Sequence, residues 1–186
     1  MIQGEHALRT LMADSLTIPS DLSFEQAIAL TQDLMAQMEA GTLSAVEEER
    51  AIAALVASEN GARGFFVTYL TSDSALADAP SEAVVKALQS SPETVAELLV
   101  KNVAMSSAMA IAHRRNQNED MAQGSERVSS RTADLIRRVS LPLVSEKAQQ
   151  LRDSAQTGAG VYADFLNRWH YDDEQRTVIQ AALSDI

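Results

Sequence analysis

The longest largely apolar run in the chain is Pro92 to His113, PETVAELLVKNVAMSSAMAIAH. Its start and stop signals predict one helix over 92–113. Ser91 is a good N-cap, Pro92 suits the first helical position, and Glu93 places negative charge in the first turn. His113, Arg114 and Arg115 place cations by the last carbonyls. At about 100° per residue, Val95, Leu98, Leu99, Asn102, Ser106, Met109 and His113 share one face. Ala104, Ala108 and Ala112 form a second stripe. Few strongly polar residues remain for solvent, chiefly Glu97 and Lys101. A helix apolar on most sides is enclosed by neighbours, so this one is expected to be the core helix, with its few hydrophilic side chains turned inward. Glu97, Lys101 and Asn102 interrupt the run, and no segment reads as long and apolar enough to span a bilayer.

The same period of 3.6 predicts helices along the rest of the chain. Ala7, Leu8, Leu11 and Met12 mark a first one over 4–15, before a loop with Pro19. Ser23 with Gln26 and Ser44 with Glu47 are capping-box signatures. The first opens a helix ended by Gly41; the second opens one expected to stop at Asn60-Gly61. Residues 62–72, ARGFFVTYLTS, suit a strand by propensity. A lone strand is unstable and Phe65, Phe66, Tyr69 and Leu70 fit helical spacing, so a helix is expected there. Pro80 starts a short helix. Asn116 to Gly124 is the most polar stretch, either a turn or an extension of the core helix, and a further helix is expected from about Ser125 to Val139. Pro142 separates it from a helix over 143–156. Thr157 to Gly160 is a turn, followed by an aromatic helix around Tyr162, Phe165, Leu166 and Trp169. Asp172 with Gln175 opens the last helix. The pattern predicts an all-α fold: one domain of about eight mostly antiparallel helices around the central one.

Composition changes this picture little. Low aromatic content, seven glycines and four prolines fit helices better than a β-sandwich. With no cysteine, disulfides and thiolate metal sites are excluded. No signal-peptide pattern follows Met1, and a soluble cytoplasmic protein is expected. The net charge of −11 argues against nucleic acid as the main partner. The charge is uneven: residues 1–100 hold four basic and fifteen acidic residues, whereas residues 101–152 hold nine and five.

Tests for chemistry are mostly negative. His6, His113 and His170 lie far apart, without an H-E-x-x-H or a Glu three residues before any of them. Gly158, Gly160 and Ala163 match G-x-G-x-x-A, but no strand precedes them. Walker A and G-x-S-x-G patterns are missing. No metal or cofactor is expected.

Two sets of residues remain. Arg127, Arg131 and Arg138 fall within roughly 40° of one another on the 125–139 helix, with Arg114 and Arg115 as neighbours in sequence. Such a stripe can grip an acidic protein surface or a phosphate, or pair along its own helix with Asp134. Asn102, Ser106 and His113 line an otherwise apolar face. They form a polar pocket for a ligand, or are satisfied locally, with Ser106 bonded back to its own helix. The expected function is a non-enzymatic protein-binding or regulatory module acting through the basic helix face, on an acidic partner or another copy. The competing readings are a small-ligand binder or enzyme with a pocket beside the central helix, and a structural subunit using the aromatic C-terminal region.

Overall fold

The central helix spans Pro92–Arg115, and the other elements are arranged on it. The computed structural model describes residues 18–186. Among them nine α-helices occur and no strand: α1 Phe24–Glu39, α2 Ala45–Val56, α3 Glu59–Thr71, α4 Glu82–Gln89, α5 Pro92–Arg115, α6 Glu119–Val139, α7 Pro142–Thr157, α8 Ala163–Arg168 and α9 Asp173–Ser184. A single 3₁₀ turn, Ala75–Ala77, lies between α3 and α4. The helix expected over 4–15 falls outside the described residues.

Local chemistry accounts for most boundaries. Ser23, Ser44 and Asp172 each accept from the backbone N–H three residues on, and Gln26, Glu47 and Gln175 return the bond. Gly41 and Gly158 hold positive φ just past α1 and α7. Ser91 stands at the N-cap of α5, but its hydroxyl makes no cap bond; Pro92 alone marks that start.

Several expectations need correction. The second helix does not reach Asn60-Gly61. It stops at Val56, and Ser58 caps α3 by accepting from Gly61 N–H at 3.1 Å. Gly61 is required there, because a Cβ would sit 2.0 Å from the Leu55 carbonyl oxygen. The ambiguous 62–72 segment is helix. The polar 116–124 stretch divides: a turn at 116–118, then the first two turns of α6, capped by Asn118. By length and composition alone Pro92–Arg115 is apolar enough to cross a membrane, with a mean hydropathy of 1.4 over its best window, contrary to the expectation. Neighbouring helices bury 56% of that window, as in the core of a helical domain.

Packing follows two halves joined at α5. Helix α1 lies on α3, and α2 lies on α4 and α3. Helix α5 packs on α6, α9 and α7, while α3 and α4 reach across to α5 and α6. One hydrophobic core runs through both halves, from Leu34 and Ile52 through Phe65, Leu99 and Leu135 to Leu151 and Leu183. Each fully buried side chain of this size stabilises by about 1.5–3 kcal/mol before entropy is charged against it.

Candidate functional site

Helix α5 has two unlike sides. Ala96, Val100, Ala104, Ser107 and Ala108 are buried against α6, α7 and α9. On the opposite side Leu98, Asn102, Met105, Met109 and His113 are only half-buried. The polar face was expected to turn inward. The enclosed side is instead the small-residue side, and the polar face borders open space.

That space is a groove. One cleft of about 370 Å³ lies against Asn102, Ser106, Met109, His113 and Met121. A second, of about 400 Å³, continues past Leu98 and Lys101 to Phe165, Arg168 and Trp169. The two share Thr71, Asn102, Met105 and Val128, so they form one groove walled by α3 and α8 at one end and α6 at the other. From Leu98 to His113 it follows α5 for about 22 Å at 1.5 Å per residue.

The floor is flexible and apolar, with Met105, Met109 and Met121 supplying polarizable side chains. Five large hydrophobic side chains are exposed among the described residues. Val67, Met121 and Trp169, three of the five, rim this groove. The aromatic helix therefore divides: Tyr162, Leu166 and Tyr171 are core, and Trp169 is 48% exposed.

Of the expected pocket residues, Ser106 is satisfied locally. Its hydroxyl donates to the Asn102 carbonyl at 2.6 Å. Among the described residues the side chains of Asn102 and His113 make no hydrogen bond, so both present free polar groups to the groove.

The expected arginine stripe has a different fate. Arg131 is buried, and all five of its N–H groups are engaged. They reach Asp78 at 2.6 and 3.0 Å and the carbonyls of Leu70, Ser72 and Ser74 at 2.6–3.1 Å. It clamps the 72–78 loop to α6 instead of facing a partner. The hydrogen bond from Arg131 holds the Asp78 carboxyl below its usual range. Arg127 pairs with Asp73 at 3.2 Å, and Arg138 with Asp134 at 2.6 Å. Arg114 bridges the α5–α6 turn to Glu119 and Glu126, and Arg115 ties the end of α5 to Asp172 and Glu174 at the start of α9. These five arginines do not form a common free surface. Their partners lie up to 61 residues away in the chain, beyond the reach of a spacing argument.

Of these five only Arg127 lines the groove, whose other basic residues come from elsewhere in the chain. Arg63 lies over the Phe24 ring at 5.2 Å, and among the described residues neither Arg63 nor Arg168 meets a carboxylate. Lys101 is held by Glu97 at 2.8 Å. Glu97 also accepts from Tyr162 at 2.7 Å and lies 3.1 Å from Lys147, which locks α5, α7 and the start of α8 together. Burial works to raise the Glu97 carboxyl, but the hydrogen bonds from Lys101, Tyr162 and Lys147 outweigh it and hold it below the usual glutamate range.

A third cleft, about 420 Å³ between α1 and α3, meets the groove at Val67 and Thr71. Among the described residues its only charged one is Glu39.

Comparison with known proteins names no activity. No curated protein matches the chain, and no solved structure does. A family model matches residues 23–186, which takes in all nine helices, and the chain belongs to that family, described as Uncharacterised conserved protein UCP020893.

Proposed function

We propose that this protein is a non-enzymatic binding protein whose site is the groove along the open side of α5. One observation carries the reading: a run of about 22 Å of the central helix, with Asn102 and His113 making no side-chain hydrogen bond among the described residues, borders a methionine-lined groove that gathers three of their five exposed large hydrophobics. Contiguous exposed apolar surface with a polar rim marks interaction sites. The arrangement of Ser106 favours binding over hydrolysis, because its hydroxyl is directed at its own helix and not at His113.

The site thus moves from the basic face of α6 to the groove beside it. Arg127, which lines the groove, is the member of the stripe that contributes.

The anionic apolar dye 8-anilinonaphthalene-1-sulfonate tests this. Titration of the native full chain is expected to give saturable fluorescence enhancement, abolished by Gly124→Leu. Residue 124 is open groove wall, where an added Cβ meets nothing within 4 Å among the described residues, so the variant folds with a thermal melt no lower than the parent's. Absence of dye binding, or binding unchanged in Gly124→Leu, contradicts the reading.

A further inference from the structure

We infer that the occupant of this groove is an acidic amphipathic helix from a partner protein, an inference that rests on the groove being the binding site. Three observations converge on that chemistry.

The first is charge. In a chain of net charge −11, the described residues lining the groove include Arg63, Lys101, Arg127, Arg168 and His113 with one carboxylate, Glu59, although Lys101 pairs with Glu97 and Arg127 with Asp73 just outside the lining. The other arginines considered above sit in ion pairs with their own chain. Arg63 and Arg168 have no carboxylate partner among the described residues, and both stand at the α8 end. Cations left unpaired on an apolar rim fit an anionic flank on the incoming group.

The second is shape. The groove is open along its length, where a site for a small ligand would enclose most of its occupant. About 22 Å of half-buried helix face matches roughly four turns of a partner helix lying alongside. Methionines across the floor adapt to such a helix, and Trp169 beside Arg168 supplies the residue types that dominate helix-in-groove contacts.

The third is Gly124. A glycine inside a helix costs about 1 kcal/mol relative to alanine. Gly64 has a reason within the fold, since a Cβ there would lie 2.4 Å from the Ala27 Cβ. Among the described residues Gly124 has none, because a Cβ there would meet nothing within 4 Å. It leaves the α6 backbone bare on the groove wall, where a second helix can approach closely.

The test uses the full chain and its own reporter, since Trp169 is the only tryptophan. Two synthetic helical peptides of about 16 residues, about four turns, carry the same leucine stripe without tryptophan or tyrosine. One has glutamate on the flanking positions and the other has lysine. The glutamate peptide is expected to move Trp169 emission to shorter wavelength with saturation, and to bind at least about tenfold more tightly than the lysine peptide. Arg63→Gln with Arg168→Gln is expected to weaken it about tenfold at unchanged thermal melt, and Gly124→Leu to abolish the response.

Equal affinity of the two peptides, or tighter binding of the lysine peptide, overturns the inference. So does an affinity for the glutamate peptide that is unchanged in the arginine double variant. If neither peptide binds while the dye still does, the acidic helix fails and the groove stands as a site for a small anionic amphiphile. If dye and peptides are all silent, the groove itself fails.

Discussion

The two sides of α5 are built from different residues for different ends. The closed side carries Ala96, Val100, Ala104, Ser107 and Ala108, small side chains that let α6, α7 and α9 approach closely. Its polar groups are satisfied there: Ser107 donates to the Val103 carbonyl at 2.7 Å, and Gln175 of α9 donates to the Ala108 carbonyl at 3.1 Å. The open side carries Leu98, Met105 and Met109 with Asn102 and His113, longer side chains that line a groove among the described residues. The folded chain needs the first side for stability. The second side is only half-buried, and under the proposed function its residue choice serves a binding partner.

One leucine side chain placed on each side gives the largest contrast. Ala108→Leu adds volume where none is free and is expected to cost about 2–3 kcal/mol in denaturant unfolding. Gly124→Leu adds it on the groove wall and is expected to stabilise by about 0.5–1 kcal/mol, because it replaces a glycine within a helix. Losses of similar size would show that the groove is filled.

The cations divide in the same way. Arg131→Gln strips the 72–78 loop of an ion pair and its carbonyl contacts, at an expected cost of about 2 kcal/mol in the same measurement. Arg168→Gln removes an exposed cation that has no carboxylate partner among the described residues and is expected to stay within about 0.5 kcal/mol.

Acid sharpens the contrast with a smaller effect. The folded carboxyl of Glu97 lies below its unfolded value, so its contribution is complete above that unfolded value and is lost as pH falls through the folded one. Asp78 and Asp172 have the same sign, held down by Arg131 and Arg115. Stability is therefore expected to decline below the ordinary carboxylate range. Glu97→Gln is expected to lose stability at neutral pH and to show a shallower acid decline in pH-dependent melts. An acid decline as steep as that of the parent chain would remove Glu97 from the closed half.

Much of this architecture could be read from local sequence. The three capping boxes, Pro92, Pro142 and the apolar run at 92–113 mark elements through contacts within a few residues, and such contacts survive folding unchanged. Boundaries set by competing signals misled. Asn60-Gly61 reads as a stop, but Ser58 caps a new helix through it, and the polar 116–124 stretch hides an N-cap at Asn118. The site was legible only as a face. The projection placed Asn102, Ser106 and His113 together, yet which side of α5 is covered depends on how α3, α6 and α9 dock, and no periodicity records that. Arg131 reads as surface because its partners come from a loop more than fifty residues earlier. Arg63 and Arg168 carried no signal, being single cations on separate helices.

The most direct test is the methionine-methyl NMR spectrum of the full chain during titration with 8-anilinonaphthalene-1-sulfonate. The predicted result is ring-current shifts at Met105, Met109 and Met121, with Met35 and Met38 of α1 unmoved. Shifts at Met35 in place of those three would move the site to the α1–α3 cleft, and no shift at any of them would contradict a binding groove on the open side of α5.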